Sequence, residues 1–177
     1  MDKRSHGLIW DKLQSMLGAL RTGGFALTTM EAMEIVGLEL EGVESAQADS
    51  DEPRVNKGAK ATVVVELTVA QDMCNMSANM HGGAQAFCLD VCTSMAVMAL
   101  SSGSRWITAG VTSHLAAHYI APIPEHSKIR IISKTISQGL RVAVIECRIE
   151  DAETGKLHLL GTHTKHDTTS ALSFAKL

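Results

Sequence analysis

Two features of residues 75–100 have the chemistry to act on a carbonyl group: the His-Gly-Gly sequence at residues 81–83 and the carboxylate of Asp90. Paired glycines let the backbone turn sharply into a helix and leave its first amides uncovered. Those leading N–H groups have no intrahelical acceptor and lie at the positive end of the helix macrodipole. We therefore expect the Gly82 amide to stabilise a carbonyl oxygen that gains negative charge.

Asp90 is the candidate base or nucleophile for the same carbonyl. It lies in a helix whose other residues are mostly apolar, so the sequence predicts a buried, poorly hydrated carboxylate that activates water or attacks the carbonyl carbon. The alternative is a buried acid that only forms a structural pair. The residues expected to enclose it are Phe87, Cys88, Val91, Met95 and Met98.

The spacing of these two groups along the helix decides how they can act. Asp90 lies eight residues beyond Gly82, and a rise of ~1.5 Å per residue separates them by roughly 12 Å. One chain therefore cannot place both groups on one carbonyl. Two antiparallel copies of the helix would bring Gly82 of one chain to Asp90 of the other, which predicts a site shared across a dimer.

Composition predicts one domain to hold these groups. The chain has 177 residues, of which 45% are hydrophobic, and its net charge of −3 argues against a general binder of polyanions. No apolar run is long enough to span a membrane and the N-terminus lacks the apolar core of a secretory signal, so we expect a cytoplasmic location. Four basic residues on an amphipathic start leave mitochondrial import open: Lys3, Arg4, Lys12 and Arg21.

The cysteines and acidic residues give no sign of a disulfide framework or of a metal site. Cys88 and Cys92 lie one helical turn apart in the apolar helix and the other two cysteines are isolated, so we expect buried, inert thiols. An acidic cluster at residues 49–52 lies in a polar segment, residues 46–60, which we interpret as a solvated surface loop.

Periodicity and turn signals predict an α+β domain in which a curved antiparallel sheet wraps one central helix. An amphipathic helix over residues 5–21, with Ser5 as its cap and a stop at Gly23-Gly24, precedes the sheet. The segment 46–60 separates the first two strands, and residues 168–177 form a tail. Strands are predicted in residues 31–45, 61–69, 106–119, 127–136, 140–149 and 157–167, with the central helix after the second.

Short motifs spread over residues 66–166 carry a resemblance to a known family. They are Glu66-Leu67-Thr68-Val69, Asn75, His81-Gly82-Gly83, Asp90, Gly110-Val111-Thr112-Ser113, Tyr119, Pro122, Gln138-Gly139 and Gly161 to His166. In this order they resemble the hotdog-fold acyl-CoA thioesterases of the PaaI and 4-hydroxybenzoyl-CoA thioesterase type, in particular the thioesterase superfamily member 2 group. The resemblance implies a hotdog fold, hydrolysis of an acyl-CoA thioester in lipid metabolism, a homodimer that pairs into a homotetramer, and no cofactor apart from the coenzyme A of the substrate.

The resemblance also implies roles for three further residues. Asn75 would place its side-chain amide near the thioester or near water, and His81 would orient or contact the carbonyl rather than act as the base. Thr112 stands where the family has a Ser or Thr that positions the attacking water. Each has a plainer alternative, since Asn and His suit a turn and a β-branched residue suits a strand.

A second group of residues is predicted to bind coenzyme A or the acyl group. His166, Lys165 and Arg141 are candidate donors to the coenzyme A phosphates. The chain departs from the family pattern at His114, where an acidic residue is common, and at Leu140, where a Lys usually follows the Gln-Gly turn. The full predicted set is Gly83, His114, Tyr119, Pro122, Gln138, Gly139, Arg141, Lys165 and His166.

We expect residues 1–30 to form a helical extension, residues 31–170 a single hotdog domain and residues 171–177 a tail. Two other functions stay open at this point. One is a hotdog dimer that binds acyl-CoA without turning it over. The other is a hotdog hydratase or dehydratase of acyl thioesters, which needs an Asp and a His paired as acid and base in one site, a pairing that His81 and Asp90 do not suggest within one chain.

Overall fold

A long apolar helix packs across one face of a six-stranded antiparallel sheet in the computed structural model, which describes residues 3–22, 25–45 and 53–169. The elements are α1 (Lys3–Arg21), α2 (Leu27–Ala32), β1 (Glu34–Glu44), β2 (Arg54–Thr68), a 3₁₀ turn (Gln71–Met73), α3 (Gly82–Ala99), β3 (Val111–Tyr119), β4 (Lys128–Gln138), β5 (Val142–Asp151) and β6 (Leu157–His166). The strand order is β1–β2–β4–β5–β6–β3, so β1 and β3 form the edges. The predicted α+β arrangement around a central helix is confirmed.

Alternation along the strands decides which face of the sheet meets α3. In β5, Ala143, Ile145, Cys147 and Ile149 are buried, whereas the charged residues between them are partly exposed, as the sequence predicts. The length and composition of α3 would allow it to cross a membrane, but 56% of it is buried inside the fold, as is usual for a core helix.

The approach of β6 to α3 depends on a residue without a side chain. A Cβ at Gly161 would overlap the Leu89 side chain of α3 and would lie 2.7 Å from the Ala116 carbonyl oxygen of β3. Glycine therefore lets the central part of β6 lie directly against the helix. This contact therefore brings the next residues on the same face of β6, His163 and Lys165, close to α3.

Helix α1 covers the C-terminal part of α3 with the apolar face that the sequence predicts. Ile9, Leu13 and Leu17 are buried, and the Lys12 ammonium donates to the Ser101 carbonyl at 3.3 Å. The helix begins at Lys3, so the prediction that Ser5 is the cap is wrong: Ser5 is buried within the first turn. The predicted stop at Gly23-Gly24 lies outside the described residues.

The polar segment before β2 is not all loop. Residues 54–60, predicted as part of a surface loop, extend β2, because β1 pairs with them through Val43↔Val55 and Glu44↔Arg54. Asn56 adds a side-chain bond to the Glu44 carboxylate at 2.8 Å. Pairing with a neighbouring strand here outweighs the weak strand propensity of the polar residues. The predicted acidic cluster at residues 49–52 lies outside the described residues.

Two further boundaries differ from the predictions. Trp106, placed at the start of a strand by the sequence, is buried in the loop before β3, and its indole N–H donates to the Gly139 carbonyl at 2.9 Å. Helix α2 was not predicted, because six residues carry too little periodicity to reveal a helix. Arg21 at the end of α1 fixes α2 by donating to the Met30 carbonyl at 3.1 Å.

Candidate active site

The His-Gly-Gly turn forms the beginning of α3, as predicted. His81 is the N-cap residue, and its Nδ1 accepts the Gly83 N–H at 2.9 Å. Tyr119, on edge strand β3, donates its hydroxyl to the Gly82 carbonyl at 3.0 Å. The Gly82 N–H is the first amide of the helix and has no intrahelical acceptor. The turn is therefore held from both sides while this amide stays available to a substrate oxygen.

Asn75 and Pro122 lie in the two loops that support this turn. The Asn75 Oδ1 accepts the backbone N–H groups of Ser77 at 2.9 Å and Asn79 at 3.3 Å, so its side-chain oxygen stabilises its own loop. Its Nδ2 group is the part left for a substrate or water. Pro122 is exposed beside Ile123, whose carbonyl accepts the Met80 N–H at 2.8 Å and joins the two loops.

Asp90 is not buried in the single chain, so that part of the prediction is wrong. Its side chain is 46% exposed, because Asp90 lies at the border between the buried side of α3, which packs on the sheet, and its half-buried side. The apolar residues beside it on this face are only half-buried: Ala86, Phe87, Val91 and Met98. The enclosure expected from the sequence therefore needs a second chain over this face.

Three groups from the sheet approach a single oxygen of the Asp90 carboxylate. Its Oδ1 lies 3.5 Å from Thr112 Oγ1, 3.7 Å from His163 Nε2 and 3.8 Å from Lys165 Nζ. The other oxygen, Oδ2, makes no polar contact with the described residues. One side of the carboxylate is thus held by the protein and the other side is left for a reacting group.

Thr112 reaches this position because of an irregularity in β3. The pairing of β3 with β6 shifts register between Thr112 and His114, which leaves Ser113 as the extra residue of a β-bulge. Thr112 then lies opposite Lys165 and shares its inward face. His114, predicted to contact the substrate, lies opposite Thr164 on the outer face instead, so the chain does not bring it to Asp90.

The His163 imidazole is enclosed between two threonine hydroxyls. Its Nε2 lies 2.9 Å from Thr112 Oγ1 and its Nδ1 lies 2.6 Å from Thr93 Oγ1. The Thr93 hydroxyl lies 2.7 Å from the Leu89 carbonyl, to which it donates, so it accepts from an Nδ1–H. His163 Nε2 is then an acceptor and orients the Thr112 hydroxyl proton. Burial and the adjacent Lys165 lower the pKa of His163 to about 4, which keeps the ring neutral near pH 7.

Neutral burial of His163 predicts a specific acid sensitivity. Its folded-state pKa of about 4 lies below the ordinary value of 6.5, so the unfolded chain binds the proton first. Stability present above pH 6.5 is therefore lost as the pH falls through 4, by about 3 kcal/mol of unfolding free energy. Urea unfolding at a series of pH values should show this loss in the wild type and a smaller one in His163→Gln.

The matched control for this experiment is His118→Gln, which removes an exposed histidine of β3. It should keep the pH dependence of the wild type. Equal pH dependence of unfolding in wild type and His163→Gln would contradict a neutral, buried His163.

The structure also contradicts the predicted role of Lys165. It was predicted to bind the phosphates of coenzyme A, but its side chain is only 4% exposed. Its ammonium donates to Ser94 Oγ at 2.8 Å and lies 3.8 Å from Asp90 Oδ1. Because Lys165 shares the inward face of β6 with His163 and Gly161, it lies against α3 and cannot reach a ligand on the outer surface.

The remaining predicted ligand residues lie at the far end of the sheet from the His-Gly-Gly turn. Gln138 donates to the Val97 carbonyl at 3.2 Å, near the C-terminal end of α3, and the Gly139 carbonyl accepts the Trp106 indole. Arg141 and His166 are exposed at the adjoining ends of β5 and β6. These two side chains are free to meet an anionic ligand, whereas Gln138 and Gly139 serve the packing of this end of the chain.

The cysteines match the expectation of inert thiols where they are buried. Burial raises the pKa of the Cys88 and Cys92 thiols and raises that of Cys147 to about 12. Within residues 3–22, 25–45 and 53–169, no group of three or more His, Cys, Asp or Glu side chains is placed to hold a metal ion.

Comparison with known proteins gives related sequences and related folds. The family described as the thioesterase superfamily matches residues 78–158, a span that includes the His-Gly-Gly turn, Asp90 and Thr112. Human acyl-coenzyme A thioesterase 13 is 29% identical over 108 residues, which are 61% of this chain and 74% of that protein.

Two solved structures extend the likeness over most of the chain. Zebra fish thioesterase superfamily member 2 has a TM-score of 0.68 at 22% identity, covering 88% of this chain and 96% of its own. The Escherichia coli PaaI protein of the phenylacetic acid degradation operon has a TM-score of 0.64 at 19% identity, covering 93% and 95%. At these identities the two structures show a common fold, and the predicted hotdog architecture is confirmed.

Proposed function

We propose that this chain, which matches the thioesterase superfamily over residues 78–158, hydrolyses acyl-CoA thioesters to a free acid and coenzyme A. The observation that carries the proposal is the placement of a half-exposed carboxylate, Asp90, with one oxygen held beside the Thr112 hydroxyl and the other free. A carboxylate in this position can deprotonate a water or attack the thioester carbon directly.

The second part of the chemistry is stabilisation of the carbonyl oxygen. The Gly82 N–H at the beginning of α3 is the candidate donor, since the helix leaves it without an acceptor. Along α3 it lies roughly 12 Å from Asp90, too far for both to act on one carbonyl. We therefore propose that each site uses Gly82 of one subunit and Asp90 of the other, with water or the thioester carbon between them.

Two exposed surfaces support a dimer of this kind. The half-buried apolar face of α3 carries Asp90, and a second α3 would enclose it. Strand β3 is an edge of the sheet, with Val111 53% exposed and Tyr119 54% exposed. An exposed edge strand is an open template for pairing with another chain. We propose that two copies join at this edge and that such dimers pair into tetramers.

A mixing experiment tests the shared site. Co-refolding equal amounts of Gly82→Pro and Asp90→Asn chains gives mixed dimers in which one site carries both changes and the other carries neither. Half the sites of half the dimers would be intact, so the mixture should recover about a quarter of the wild-type activity. Each variant alone should stay near its own low rate.

The control is Gly82→Pro mixed with itself under the same conditions, which should gain nothing. A mixture no more active than the mean of the two variants, with mixed dimers shown by mass spectrometry, would contradict a site formed between subunits.

The 3.7 Å contact between Asp90 and His163 is the feature that favours a second candidate, hydration or dehydration of an acyl thioester. That chemistry needs a histidine able to exchange a proton with the substrate. The His163 side chain is 0% exposed and both ring nitrogens face threonine hydroxyls. We therefore prefer hydrolysis. Release of free thiol without formation of an enoyl product separates the two reactions.

Recognition of coenzyme A is proposed for the exposed end of the sheet. Arg141 immediately precedes β5 and His166 ends the neighbouring β6, and the Arg141 carbonyl accepts the Asp167 N–H at 3.0 Å. Guanidinium and imidazole groups suit phosphate oxygens. We propose a cytoplasmic enzyme that needs no cofactor beyond the coenzyme A carried by its substrate.

A further inference from the structure

Lys165 is a buried cation that the mechanism above does not use. Its side chain is 4% exposed, and in the sheet it lies between Ala143 of β5 and Thr112 of β3. Lysine is rarely buried without an anionic partner, because taking an ammonium out of water is costly. A buried lysine beneath a candidate catalytic carboxylate therefore needs an explanation.

The hydrogen bonds around the ammonium fix its orientation. Lys165 Nζ donates to Ser94 Oγ at 2.8 Å, and the Ser94 hydroxyl in turn donates to the Asp90 carbonyl at 2.8 Å. Both bonds end on the turn of α3 that contains Asp90. The lysine is thus fastened to the backbone of that turn as well as lying 3.8 Å from its carboxylate.

Asp90 is the anion that faces this lysine among the described residues. The titratable group that faces Lys165 from α3 is Asp90, and the one on β6 is His163. The adjoining strands contribute Thr112 and Ala143, which carry no charge. Burial lowers the pKa of Lys165 and Asp90 opposes that change. His163 stays neutral near pH 7 because burial lowers its pKa to about 4. The ammonium and the carboxylate therefore balance each other.

We propose that Lys165 is a positioning residue that holds Oδ1 of Asp90, so that Oδ2 is presented to the reacting group. The attraction between two opposite charges is mutual. The carboxylate therefore stabilises the buried ammonium, and the ammonium in turn attracts the half-exposed carboxylate. The catalytic part of this inference rests on the proposed thioesterase function. The pairing itself does not.

Lys165→Met tests the catalytic part, since Met has a similar length and suits a buried apolar position. Without the cation, the carboxylate loses the group that fixes its position, and kcat should fall by about 100-fold while KM changes little. Lys165→Arg, which keeps the charge, should retain more of the wild-type kcat than Lys165→Met. Lys156→Met, at an exposed turn, is the matched control.

A double-mutant cycle in urea unfolding tests the pairing without any assay of hydrolysis. Asp90→Asn leaves the ammonium buried without its anion and should lower the unfolding midpoint. Adding Lys165→Met to Asp90→Asn should raise the midpoint again, because the unpaired charge is removed.

The outcomes separate this inference from the proposed function. An equal effect of Lys165→Met on the unfolding midpoint with and without Asp90→Asn, together with an unchanged kcat, would show that Lys165 only fills space and would overturn the inference. Strong coupling in a protein that hydrolyses no thioester would overturn the proposed function and keep Lys165 as the partner that holds Asp90.

Discussion

Asp90→Asn is expected to lower kcat for acyl-CoA hydrolysis by a factor of about 10² to 10⁴, the range that a positioned acid–base group contributes. Asn has nearly the same shape, but the amide can neither take a proton from water nor attack a carbonyl. Thiol release at saturating substrate, from protein whose fold and oligomer are checked at the same time, measures the loss.

Two companion variants sharpen this result. Asp90→Glu should recover only part of the rate, because one added methylene moves the carboxylate by about an ångström, a displacement that can itself cost roughly 100-fold. Asp11→Asn, on the exposed side of α1, is the control for a change of charge alone. Parental turnover in Asp90→Asn with the oligomer intact would mean that Asp90 is only the structural partner of Lys165.

Gly82→Pro is expected to lower kcat by a factor of about 10² to 10³, the cost of losing one donor to the developing oxyanion. Proline removes the N–H without breaking the helix, because Gly82 is the first residue after the N-cap, where proline is tolerated. The preceding residue, His81, already has the extended backbone that proline requires, with φ −60° and ψ 141°.

Gly82→Ala is the matched control for this substitution. A Cβ at position 82 meets the Tyr119 ring at an ordinary distance of 3.5 Å, so alanine fits while keeping the N–H. Alanine should therefore retain most of the activity that proline removes. If alanine and proline lower kcat equally, the turn acts through its shape and the amide does not stabilise the transition state.

The central helix and the strands were predictable because their signals are local. A capping turn followed by an apolar run defines α3, and alternation in β5 correctly separates its buried residues from its charged ones. The beginning of β2 was not predictable, since Arg54 and Asn56 join the sheet only by pairing with β1. Such pairing is a tertiary contact and leaves no period in the polar sequence.

Some features of the candidate site were likewise predictable from the sequence, and others depend on tertiary packing. Rise per residue along a helix suffices to separate Gly82 from Asp90, whereas the exposure of Asp90 depends on which side of α3 the sheet covers. Alternation places His163 and Lys165 on one face of β6, but it does not say that this face is the inner one. Gly161, two residues earlier on the same face, was the available signal, because a glycine within a strand often marks close approach of another element.

That glycine has a consequence for how this protein can diverge over time. A methyl group at position 161 would collide with both Leu89 and the backbone of β3, and relief of the collision would lift β6 from α3. His163 and Lys165 would move with the strand and lose their contacts with Asp90. Mutational tolerance around the site is therefore not a matter of polarity, and the position least open to drift is one that offers no functional group.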